Sequence, residues 1–125
     1  QLAGLSYMYD AMNFYIFAKT ADENGNSILT LIKSDKGVIT EEIATIPVDK
    51  EAKIELKIAL NECGTAADFY YKTEGAEWKP AGVDFTTEIV TDEYCRGFTG
   101  AHFGLYCHDM TGLGAYADFD YMKVE

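Results

Sequence analysis

Proline, tryptophan and cationic side chains are scarce in this chain. Its 125 residues hold 2 Pro and 1 Trp, and 10 Lys plus Arg stand against 21 Asp plus Glu. The formal charge of −11 argues against DNA, RNA or an anionic membrane as partner, because each demands a basic face. It suits a neutral ligand such as a sugar and tolerates a hard cation such as calcium. No apolar run approaches the roughly 20 residues that a membrane-spanning helix needs. The three cysteines, Cys63, Cys95 and Cys107, cannot all pair within one chain, and none lies in a CxxC. They read as reduced thiols in a buried sheet, with a single disulfide as the other reading. An odd count leans toward a reducing compartment, so a cytoplasmic rather than secreted location is expected.

Catalytic signatures are equally sparse. There is no GxSxG elbow for a serine nucleophile, and no GxxxxGK[ST] or GxGxxG phosphate loop. The ExDxxE run of retaining sandwich glucanases, which sets two carboxylates at the separation for double displacement, is missing. Glu41 and Glu42 are adjacent, face opposite sides of a strand and cannot pair. The chain is therefore expected to be non-catalytic alone.

What is abundant is alternation. Hydrophobic residues make up 48% of the chain and aromatic residues 14%, enough for one ordered domain and against disorder. Leu5, Tyr7 and Tyr9 alternate with Ser6, Met8 and Asp10, and Phe14, Ile16 and Ala18 with Tyr15, Phe17 and Lys19. Period two rich in aromatics means strand. Asn24-Gly25 is a strong hairpin signal, because both residues accept positive φ cheaply. Strands are expected over 27–34, 38–48, 66–73, 83–90, 102–110 and 115–124, with a loop over 91–100. Residues 49–62 are rich in helix formers, and Asp49 could cap a helix. Yet Ile54, Leu56, Ile58 and Leu60 share a face only on a strand, so a strand is predicted there too. About ten short strands between turn signals specify an all-β sandwich or barrel in a single domain, 1–125. Several strands carry apolar residues on both faces, so the second face must meet another surface or form a groove.

Several residues could carry a function. Tyr7, Tyr9, Tyr15, Tyr106 and Trp78 could stack on sugar rings, core packing being the alternative for each. His102 and His108 lie six apart, too far to share one metal ion. His102 follows a glycine-rich loop and is the better candidate. Asp118 and Asp120 share a strand face beside Asp109 and could hold calcium or simply face solvent. In the loop Cys95-Arg96-Gly97-Phe98-Thr99-Gly100-Ala101, two glycines bracket one large ring. Phe98 either folds back as a core plug or docks on a partner.

The strings QLAGLSYMYDAMNFY, DENGN, FYYKTEGAEWKPAG and TDEYCRGFTGAHFGLYCHDMTGLGAYADFDYMKVE resemble the C-terminal β-sandwich of family 43 glycoside hydrolases. These are chiefly β-xylosidases, some with arabinofuranosidase activity. GFTGAHFGLYCHDMTG followed by ADFDY is the most specific part. The resemblance implies a concanavalin A-like jelly roll of two antiparallel sheets, the C-terminal part of a larger enzyme. It implies an N-terminal five-bladed propeller that holds the acid and base carboxylates for inverting hydrolysis of xylo-oligosaccharides. The sandwich would pack on that propeller and send Phe98 to wall its sugar subsite, with Arg96, Thr99 and His102 beside it. Calcium, held at Asp118 and Asp120, would be structural. An independent xylan-binding module using Trp78, Tyr106 and other rings is the alternative, and a self-associating structural sandwich a third reading. Two departures stand out. Gln1 falls inside the family's sandwich, so several strands are expected to lie elsewhere or the chain to self-associate. Met122 stands where the family usually has an aromatic residue.

Overall fold

The computed structural model of the chain describes residues 2–43, 45–49, 53–97 and 100–108. Among these residues, nine strands form two antiparallel sheets. β1 (Leu2–Met8), β2 (Phe14–Ala21), β3 (Ser27–Asp35), β4 (Val38–Glu41), β5 (Ile46–Pro47) and β9 (His102–His108) make the larger sheet. Its order is β4-β3-β2-β1-β9, with β5 also paired to β3. β6 (Ile54–Leu60), β7 (Ala66–Thr73) and β8 (Lys79–Thr86) make the smaller sheet, in that order. A 3-10 turn (Glu88–Val90) and a one-turn helix, α1 (Asp92–Cys95), lead from β8 into β9.

Alternation explains the layering. In β2, Tyr15 and Phe17 face the smaller sheet, and they meet Leu29 and Leu31 of β3 and Tyr7 of β1 in one core. Ala67 and Phe69 of β7 fill that core from the other side, with Ile54, Leu56 and Ile58 of β6 packed against it. Phe69 sets its ring 5.6 Å from both Tyr15 and Phe17, and burial of each such side chain stabilises by about 1.5–3 kcal/mol. The opposite face of the larger sheet carries a second cluster of Leu2, Ile16 and Ala18 beside Phe14, Ile32 and Tyr106. The strand predicted over 54–60 is present, and propensity yields there to side-chain period.

Three expectations change. The run 38–48 splits into β4 and β5. β3 advances three residues from Leu29 to Ile32 while its partner takes five from Ile46 to Glu41, and the excess interrupts the ladder. The expected strand 83–90 stops at Thr86, and Ile89 and Val90 are both buried. A 3-10 turn can point two consecutive side chains inward, whereas a strand cannot. The cysteines are thiols, as read, but not interior ones: Cys63 and Cys107 are exposed and Cys95 is half-buried. The strand expected at 115–124 lies outside the described residues. Among the described residues, no helix is long and apolar enough to cross a membrane.

Tyr15 links the sheets with a polar bond, its hydroxyl donating to the Thr86 carbonyl at 2.8 Å. Burial, with the negative field of Glu42 and Asp35, pushes its pKa from 10.0 up to about 12. A raised value means the neutral phenol favours the folded state. That contribution is complete below pH 10 and is lost as pH climbs toward about 12. In an alkaline titration followed by tyrosinate absorbance, Tyr15 should ionise only as the fold opens. A Tyr15→Phe variant should withstand alkali better than the parent sequence.

Candidate functional site

The loop between α1 and β9 is built outward from Thr91. Its hydroxyl oxygen accepts from the Tyr94 amide at 3.3 Å and donates to the Glu88 carbonyl at 2.7 Å, which caps α1. Arg96 ends the helix in the left-handed region at φ 58°, and the Gly97 amide donates back to the Asp92 carbonyl at 3.1 Å. One oxygen of the Asp92 carboxylate then accepts twice, from the Tyr9 hydroxyl and from the Gly100 amide, each at 2.9 Å. Tyr9 follows β1, so this single carboxylate ties the sheet end to the far side of the loop. A Cβ at Gly97 would run into the Tyr9 hydroxyl, so any larger residue there would have to displace the Tyr9 side chain. Gly100, at φ 68°, takes a conformation that glycine adopts without strain.

The loop's root is fixed equally well. Asn13 is 4% exposed; its amide donates to the Ile89 carbonyl at 2.8 Å, and its side-chain oxygen accepts from the Lys36 amide at 3.3 Å. The Tyr94 hydroxyl donates to Asp35 at 2.6 Å, and the Lys36 ammonium lies 4.5 Å from the centre of the Tyr94 ring. The β1–β2 loop, the β3–β4 turn and the segment carrying α1 are thus cross-linked at one end of the sandwich. The amides of Gly97 and Gly100 are both held by Asp92.

The electrostatics follow from these bonds. The Gly100 amide, and then the Tyr9 hydroxyl, hold the Asp92 carboxyl below its ordinary 3.8. A lowered carboxylate pKa stabilises the fold above the ordinary value, and the benefit disappears as pH falls through the lowered one. Melting curves taken from pH 5 downward should therefore fall more steeply for the parent sequence than for Asp92→Asn, which lacks the titrating group. Parallel acid limbs would contradict this. Asp35 raises the Tyr94 phenol by accepting its hydrogen bond, and burial raises the Cys95 thiol.

Arg96 and His102 are exposed, His102 opening β9 opposite Met8. Phe98 and Thr99 fall between the two held glycines and lie outside the described residues. In sequence, Arg96, Phe98, Thr99 and His102 fall within one seven-residue stretch. The fold places the other candidates elsewhere. Tyr106 sits opposite Gly4, four residues and roughly 13 Å along β9, and packs on the second cluster. Trp78 lies just before β8 of the smaller sheet, with the Lys57 and Lys72 ammoniums over its ring. Tyr7 and Tyr15 are core rather than sugar contacts, 7% and 1% exposed, and Tyr9 is half-buried with its hydroxyl bound to Asp92. The calcium reading falls on Asp118 and Asp120, outside the described residues. Among the described residues no three His, Cys, Asp or Glu side chains could share a metal ion.

Asp92, Asn13 and the Tyr94–Asp35 pair were missed from sequence. Thr91-Asp92-Glu93 does carry the signal of a capped helix start with acidic first-turn residues. Nothing local marks Asp92 as the partner of Tyr9, which is 83 positions away.

The comparisons with known proteins bear on this arrangement. Xylosidase/arabinosidase 43B of Humicola insolens is 34% identical over 131 residues, covering 97% of this chain and 24% of that protein. A β-xylosidase of Bacillus subtilis is 27% identical over 98% of this chain and 24% of its own length. The chain thus spans about a quarter of these curated relatives. Among solved structures, the xylan β-1,4-xylosidase from Bacillus halodurans C-125 superposes with a TM-score of 0.81 at 28% identity. That superposition covers 90% of this chain and 22% of that one. Residues 1–125 match throughout the family described as the β-xylosidase C-terminal concanavalin A-like domain, and the chain belongs to that family.

Proposed function

We propose that this chain is the accessory sandwich of a family 43 β-xylosidase, packing on a catalytic propeller and completing its sugar pocket with Phe98. The observation that carries the reading is the Asp92 clamp, which fixes Gly97 and Gly100 on either side of Phe98. A loop that must hold a ring in another domain's pocket has to be stiff before docking, because ordering it on contact would cost affinity. The same end of the molecule also shows apolar surface. Met12, Val38 and Ile39 are 53%, 66% and 65% exposed, and Met12 lies against Gly37 of the β3–β4 turn. A covering neighbour would remove that surface from water.

In this reading the acid and base carboxylates belong to the propeller and act on xylo-oligosaccharides. Arg96, Thr99 and His102 would supply polar contacts at the pocket rim. Amide hydrogen exchange, compared between the isolated chain and the full-length enzyme, tests the docking. Amides at 96–102 and 37–39 should exchange more slowly in the full-length protein. Equal rates at both segments would contradict the packing.

A further inference from the structure

The outer face of the smaller sheet carries a second set of groups that the loop does not use. Glu55, Lys57 and Ala59 of β6 stand opposite Lys72, Tyr70 and Asp68 of β7. This is the face turned away from the core, since Leu56, Ile58, Phe69 and Tyr71 pack inward. Trp78 immediately precedes β8, and the alternation that turns Lys79 toward Tyr71 brings the indole over the outer face. The Lys57 and Lys72 ammoniums lie 4.5 and 5.1 Å from the indole, and Lys57 is also 4.8 Å from the Tyr70 ring. Trp78 remains 37% exposed.

We infer that Trp78, Tyr70 and Lys57 form a carbohydrate platform, separate from the Phe98 loop, that binds a β-linked pyranose chain. Two features select this occupant. The rings sit among charges rather than apolar side chains: Glu55 pairs with Lys72 at 3.1 Å, and the Tyr70 hydroxyl donates to Asp68 at 3.4 Å. Charges of this density are depleted from the centre of protein–protein interfaces, whereas a sugar offers C–H bonds to a ring and hydroxyls to the polar groups around it. Second, Lys57 meets two rings and, among the described residues, no carboxylate within ion-pair distance. In a chain of net charge −11, its three N–H donors are available for ring and hydroxyl oxygens. The sheet also holds the platform firm, since the Asp84 amide donates to Asp68 at 2.8 Å where β8 bulges at positive φ.

Choosing xylan as the chain rests on the function proposed above; the platform itself does not. Trp78 is the only tryptophan, so indole fluorescence of the 125-residue chain reads this face alone. Titration with xylohexaose should quench or blue-shift it saturably, with Phe98→Ala unchanged. Retardation in xylan-containing native gels should weaken about tenfold in Trp78→Ala and less in Lys57→Ala, as loss of one stacking ring predicts. A response to cellohexaose but not to xylohexaose would keep the platform and count against the xylan reading. Silence with both sugars in a chain shown to be folded by circular dichroism, or equal retardation of Trp78→Ala, would overturn the platform.

Discussion

Phe69→Ala is expected to cost about 3–5 kcal/mol of folding stability, the range for truncating a fully buried aromatic ring. Phe69 is 0% exposed, and its ring stands 5.6, 5.6 and 5.7 Å from those of Tyr15, Phe17 and Phe85. It is the large side chain by which the smaller sheet grips the larger one, since its buried neighbour on β7 is only Ala67. A domain typically has about 5–15 kcal/mol to lose, so the variant should sit near its unfolding threshold. Urea denaturation provides the measurement. Val83→Ala, at a position 53% exposed, should stay within about 0.5 kcal/mol of the parent sequence. A cost at Phe69 below about 1 kcal/mol would show that the two sheets do not depend on this contact.

The second large effect is expected at the loop. In the full-length enzyme, Phe98→Ala should lower kcat/KM for xylo-oligosaccharides by about tenfold to a hundredfold, the scale on which a pocket discriminates by shape. The melting temperature should stay nearly unchanged if, as proposed, the ring serves the neighbour's cavity and not this core. A large stability loss with intact activity would return Phe98 to the interior. Gly97→Ala should act on the same quantity indirectly. Its methyl group would strike the Tyr9 hydroxyl and force apart the Tyr9–Asp92 bond. Under the proposed function, this would loosen the hold on the two glycines and lower activity, although Phe98 itself has not been removed.

How much of this was legible in the sequence depends on the range of the interactions involved. The sandwich was readable because side-chain period is local: Ile54, Leu56 and Ile58 announce their face without reference to any partner. The hairpin at Asn24-Gly25 was readable for the same reason, and Gly25 takes φ 81°. The split of 38–48 was not, because it arises from a length mismatch with β3 that only the pairing reveals. Tyr7 and Tyr15 illustrate the limit of composition. A tyrosine in a strand can serve core or ligand equally, and what decides here is Phe103 stacked on Tyr7 at 4.5 Å and Phe69 beside Tyr15. The glycines around Phe98 pointed to the loop, but the carboxylate that holds it had no local signature.

The most direct measurement of the central claim is a double-mutant cycle on kcat/KM in the full-length enzyme, with Gly97→Ala, Phe98→Ala and both together. If the clamp works by positioning the ring, Gly97→Ala costs activity when Phe98 is present and almost nothing once Phe98 is gone. Losses that multiply independently, or a Phe98→Ala enzyme as active as its parent, would contradict the account.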